Sequence, residues 1–149
     1  MKSMKKSNHE IGSWLILFLG FYTLVIAILW IFVTEIMFVS DFAHVTGYQF
    51  SEHPDTVLAG FYILTKRLIG VMILVVALLI LLINQKAYRK GEKWSWFAIL
   101  IAGGVTWGTF IVYKIIIGYI GASMITFVIG TLITLIGLIL SAKEMLGKN

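Results

Sequence analysis

The sequence predicts an all-α membrane protein: a four-helix antiparallel transmembrane bundle with both termini in the cytoplasm. Three observations lead there. The chain of 149 residues is 60% hydrophobic and 13% charged, with mean hydropathy +0.97, whereas soluble domains carry about 25% charged residues. Its uncharged stretches run Ile11 to Thr34, Leu68 to Gln85, Trp94 to Tyr113 and Ile115 to Ala142, each close to or above the ~20 apolar residues that one helical crossing needs. Most of the Lys and Arg residues fall in three clusters: Lys2, Lys5 and Lys6; Lys86, Arg89, Lys90 and Lys93; Lys143 and Lys148. These lie before the first span, between the second and third, and after the fourth, the pattern that keeps those segments on the cytoplasmic side.

Span 1 covers about residues 12–36. Its apolar run exceeds the ~7–15 residues of a signal-peptide core and lacks a small-x-small cleavage site, so it reads as a retained anchor. The outer loop, residues 37–56, carries Asp41, Glu52, Asp55, His44 and His53 and no Lys or Arg, and it has room for an interfacial helix. Span 2 covers about residues 57–84, with Lys66 and Arg67 near its start. A helix starting near Thr56, after Pro54-Asp55, would put that pair ~15 Å below its outer end. Membrane entry near Tyr62, with Asp55 to Phe61 as an interfacial turn, is the cheaper version, because both side chains then snorkel to water.

Spans 3 and 4 cover about residues 94–117 and 122–142, and the short uncharged link Gly118-Tyr119-Ile120-Gly121-Ala122-Ser123 makes them antiparallel neighbours. The whole chain, 1–149, reads as one transmembrane domain. Trp14, Trp94 and Trp96 are expected at the inner interface, and Tyr48, Tyr62, Tyr113 and Tyr119 at the outer one, because amphipathic rings favour the headgroup layer. Small residues at helical spacing, Gly104 and Gly108 in span 3 and Thr126, Gly130, Thr134, Gly137 and Ser141 in span 4, mark faces for close helix packing. No internal repeat supports an inverted-repeat transporter.

Charges inside or beside apolar spans are the place to look for function. Topology brings Glu35, Lys66, Arg67 and Lys114 to similar depth. Such a cluster either pairs internally and fixes helix rotation, or holds an anionic headgroup, carboxylate or quinone oxygen in an outward-open cleft. Arg67 is expected to face the interior or a partner and to contact Glu35 or a loop acid. In the loop, Asp41 and His44 at i, i+3, with His53, have the ligand chemistry of a zinc, copper or non-haem iron site, and equally the chemistry of a solvated loop.

Several function classes drop out. There is no cysteine, which removes disulfides, thiolate metal sites and iron–sulfur clusters. His9, His44 and His53 all lie outside the uncharged runs, so a bis-histidine haem between helices lacks ligands. No Gly-rich phosphate cradle is present. The net charge of +5 is accounted for by topology rather than by nucleic acid. No cofactor is expected.

The leading expectation is a non-enzymatic accessory or structural subunit of a larger integral-membrane complex, or a homo-oligomer. Its contacts would be membrane lipids and other integral-membrane subunits or itself, through the span 4 stripe or the Gly104/Gly108 face. The alternative is a small outer-leaflet binding or transport protein for an anionic or amphipathic ligand at Glu35, Lys66, Arg67 and Lys114. A third reading, a metal-dependent outer-face enzyme, needs His44 and His53 to converge.

The basic start, a first span ending in an acid, Arg67-Leu68-Ile69-Gly70 entering span 2 and Lys90-Gly91-Glu92-Lys93-Trp94-Ser95-Trp96 entering span 3 resemble small four-helix prokaryotic integral membrane proteins of unknown function. The resemblance implies a fold and no activity.

Overall fold

A computed structural model describes residues 7–37, 39–49, 57–118 and 120–147. Lys2, Lys5, Lys6, Glu52, His53, Pro54, Asp55, Tyr119 and Lys148 lie outside the described residues. The described chain is helical: α1 (Asn8–Phe32), α2 (Thr34–Met37), α3 (Val39–Thr46), α4 (Val57–Lys86), a 3-10 turn at Tyr88–Lys90, α5 (Lys93–Ile99), a π-helical stretch at Leu100–Val105, α6 (Thr106–Ile116) and α7 (Ala122–Leu146). Four stretches, Asn8–Phe32, Val57–Lys90, Lys93–Ile116 and Ser123–Leu146, are long and apolar enough to cross a membrane. Helix is the form in which such segments satisfy every backbone donor and acceptor internally.

Local signals set the ends. Ser7 caps α1 by accepting the Glu10 N–H at 3.1 Å, which satisfies one of the donors left free at a helix start. Gly91 closes the turn after α4 at φ +75°, and Gly118 follows α6 at φ +68°, conformations that cost other residues a steric clash. The α4 helix is continuous from Val57. The interfacial turn expected at Asp55 to Phe61 is therefore replaced, from Val57 onward, by helix.

Helix α1 is central and packs along α4 and α7, while α5 and α6 pack on α7. The buried positions of α4 are Ala59, Lys66, Gly70, Ile73, Ala77, Ile80 and Asn84, a three-and-four spacing that keeps one stripe facing its neighbours. Small residues let the backbones close up. A Cβ on Gly70 would come within 3.0 Å of Trp30, and one on Gly12 within 2.7 Å of the Gly137 carbonyl.

The span 4 stripe points inward, which corrects its expected use as an external contact surface. Thr126 offers its carbonyl to the Tyr22 hydroxyl at 2.9 Å. Gly130 lies under the Trp107 ring, Thr134 against Gly103, and Gly137 against Ile16. Each removes surface from the outside because α1 and α6 need close approach on both sides of α7. Gly104 and Gly108 behave differently: a Cβ on Gly108 would meet nothing within 4 Å, and one on Gly104 only Leu100 of the preceding turn.

Polar contacts pin one end, hereafter the basic end. His9 N–H donates to Glu144 Oε1 (3.3 Å), Ser13 Oγ to Asn84 Oδ1 (3.2 Å), and the Tyr88 hydroxyl to the Gly137 carbonyl (3.1 Å) while also bonded to the Ser141 hydroxyl. Trp14 is exposed with the Arg89 guanidinium 5.8 Å from its ring, and Trp94 is exposed with its Nε1–H on Glu92. Trp96 is half-buried. Its Nε1–H reaches the Leu138 carbonyl at 3.0 Å, so it ties α5 to α7.

Candidate functional site

The opposite end, hereafter the loop end, carries the buried charges. After α1 stops at Phe32, the chain turns through α2 and lays the eight-residue helix α3 across the helix ends. Phe42 is fully buried and meets the Tyr62 ring edge-on at 5.2 Å. Its neighbour Asp41 thereby enters the interior. There Lys114 Nζ donates to Asp41 Oδ2 at 2.6 Å, with the two side chains 1% and 5% exposed.

Beside this pair the helices part. α4 approaches span 3 along α5 and the π-helical stretch but hardly along α6, and the gap leaves a cavity of about 490 Å³. Its floor is aromatic, with Phe110 stacked on Phe127 at 5.0 Å between ring centroids and 5.4 Å from Trp30. Exposed Leu58, Phe61, Thr109 and Tyr113 and half-buried Thr65 border its mouth between α4 and α6, and Val45 and Thr46 of α3 also line it.

Lys66 is turned into this space and is 5% exposed. Its Nζ stands 5.1 Å from the Tyr62 ring centroid, 5.2 Å from Tyr113 and 5.6 Å from Trp30. Each ring offers a cation a negative face, an attraction that strengthens where water is excluded. The expected snorkelling of Lys66 to water is thus replaced by an inward pose in a three-ring surround. Tyr62 and Tyr113, expected in the interfacial belt, are walls of the cavity. The Tyr62 hydroxyl is buried without a hydrogen-bond partner among the described residues.

The expected four-residue cluster divides in two. Arg67 Nη2 reaches Glu35 Oε1 at 2.9 Å on the outside, with side chains 45% and 58% exposed, whereas Lys66 and Lys114 turn inward. Arg67 therefore makes the expected contact with Glu35, but from the surface rather than from the interior. The reason is helical geometry: consecutive residues point about 100° apart, so burying Lys66 on the α1-facing stripe sends Arg67 outward. Of the metal candidates, Asp41 is engaged by Lys114, His44 donates from Nε2 to the Ile117 carbonyl at 3.1 Å, and His53 is outside the described residues. No group of three His, Cys, Asp or Glu side chains that could hold a metal occurs among the described residues.

Sequence reasoning passed over Asp41 as the partner of Lys114 and over the ring surround of Lys66. A usable signal existed in Val39-Ser40-Asp41-Phe42-Ala43-His44-Val45: apolar Phe42 and Val45 at helical spacing flank an acid, so a helix that docks Phe42 carries Asp41 in with it. Among the described residues, the assembled site sets the Lys66 and Lys114 ammonium groups and the Asp41 carboxylate within largely apolar walls. Comparison with protein families, with curated proteins and with solved structures finds no match to this chain.

Proposed function

We propose that this is a multi-pass cell-membrane protein, an antiparallel four-helix bundle with both termini cytoplasmic and α3 on the outer face, that binds an amphipathic molecule bearing an anionic group. The observation that carries this reading is the loop-end cavity, whose apolar walls enclose Lys66 and Lys114. Its volume of about 490 Å³ falls in the range of small-molecule sites, which are mostly apolar with a few placed polar groups. Ionisable residues at membrane depth are costly and mark ligand or ion sites. The mouth between α4 and α6 is bordered by exposed apolar side chains, so a lipid-dissolved molecule reaches it without crossing water.

The test is purification in lipid nanodiscs followed by native mass spectrometry. An anionic amphiphile bound at about one per chain is expected, and Thr109→Trp, which fills the mouth, should abolish it. A protein that carries no amphiphile and takes up none on titration would remove the reading.

The oligomer or accessory-subunit reading has one observation in its favour, the uncovered Gly104/Gly108 face, where a neighbouring helix could approach closely. Gly108→Leu should then shift the particle mass in nanodiscs, while leaving amphiphile binding intact.

A further inference from the structure

We propose that the ligand is a single-chain carboxylic acid whose carboxylate takes the place Asp41 now holds on Lys114, and that Asp41 with α3 is a built-in competitor covering the site. This rests on the amphiphile-binding reading above and names its ligand class.

The argument starts from what Lys114 holds. Its ammonium is almost completely buried and bonded at 2.6 Å to a carboxylate, and stripping a buried ammonium of its counter-ion is strongly destabilising. Among the described residues that counter-ion belongs to α3, whose side chains reach the rest of the fold as Asp41 on Lys114, Phe42 against Tyr62 and His44 on the Ile117 carbonyl. Lys114, Asp41 and Tyr62 also line the cavity, so the acid group of a molecule inside it reaches the same ammonium. A carboxylate arriving from the cavity replaces Asp41 like for like. Lys114 keeps its charge-assisted hydrogen bond, Asp41 passes to water where a carboxylate is well solvated, and the burial lost by Phe42 is offset by the methylenes the ligand buries.

Both the charge and the size of the site select the ligand. Asp41 is a planar monoanion with two oxygens, which a fatty carboxylate duplicates and a phosphate monoester exceeds in charge and bulk. About 490 Å³ suits one alkyl chain rather than a whole two-chain phospholipid. Lys66, in its ring surround and also lining the cavity, adds a second positive group to the field an entering acid meets.

Competition predicts an unusual sign. Removing Asp41 should tighten ligand binding, because the ligand no longer displaces an internal rival. Dodecanoate, dodecanol and dodecyl phosphate are titrated by calorimetry against wild type, Asp41→Asn and Lys114→Met in phosphatidylcholine nanodiscs. Dodecanoate should bind Asp41→Asn about ten-fold tighter or more than wild type, since the cost of freeing the site is gone. Dodecanol should bind both equally, and Lys114→Met should lose dodecanoate. Unchanged or weaker dodecanoate binding by Asp41→Asn, or a preference of that variant for dodecyl phosphate, would overturn the proposal. If amphiphiles still bind in those cases, the cavity reading survives. If none of the three amphiphiles binds wild type or Asp41→Asn, both fall.

A second measurement leaves Asp41 in place. The chain has no cysteine of its own, so spin labels on Ser40→Cys and Ile116→Cys report the α3 to α6 distance alone. Saturating dodecanoate should lengthen it and dodecanol should not; an unchanged distance at saturation would also overturn the proposal.

Discussion

Lys114→Met isolates the energetics of the loop end. Met preserves most of the volume of the lysine stem, so packing is kept while the ammonium is lost. What remains is a carboxylate, Asp41, 5% exposed in an apolar setting. Leaving one half of a buried ion pair costs about 3–5 kcal/mol. The fold has one cheaper escape: α3 lifts away, wetting Asp41 and exposing Phe42, at about 1.5–3 kcal/mol for the lost ring burial. The cheaper route sets the expected destabilisation at about 1.5–3 kcal/mol, read from reversible unfolding in mixed detergent micelles. Adding Asp41→Leu should recover most of it, because a well-packed apolar pair replaces a buried ionic one at little net cost. A loss under about 1 kcal/mol, the size typical of exposed pairs, would refute the reasoning, as would a double variant no more stable than Lys114→Met. Arg67→Gln is the internal control. Its bond to Glu35 is about half exposed, so it should cost less than about 1 kcal/mol.

Three more outcomes are expected. Gly130→Ala drives a Cβ into the Trp107 ring and should cost about 1–3 kcal/mol with a change in tryptophan fluorescence; Gly108→Ala, with open space around it, should leave stability equal or raise it by up to ~1 kcal/mol. Tyr88→Phe removes the hydroxyl bonded to Gly137 and Ser141 and should cost about 0.5–1.5 kcal/mol in the same unfolding assay, since Ser141 keeps its own bonds to the Gly137 and Leu138 carbonyls. On intact cells, a membrane-impermeant maleimide should label Ser40→Cys and spare Lys90→Cys, both exposed positions; the reverse pattern would invert the proposed orientation.

The amino-acid order by itself dictated four membrane-length helices, because uncharged stretches this long must close their own hydrogen bonds in lipid. It also placed the cationic clusters beside the ends of those helices and flagged Lys66, Arg67 and Lys114 as charges needing an explanation. It anticipated the contact of Arg67 with Glu35, but not the pairing of Lys114 with Asp41 or the burial of Lys66. Lys66 and Arg67 are adjacent and chemically alike, yet one lies under three aromatic rings and the other on the surface beside Glu35. That division depends on helix rotation, and rotation is poorly written in such a chain: lipid-facing and core-facing positions are both apolar, so periodicity does not mark the inner stripe as it does in water-soluble helices. Contacts between distant residues supplied the missing information. Gly70 admits Trp30 and turns Lys66 inward, Phe42 docks on Tyr62 and delivers Asp41 to Lys114, and the parting of α4 from α6 opens the cavity between them.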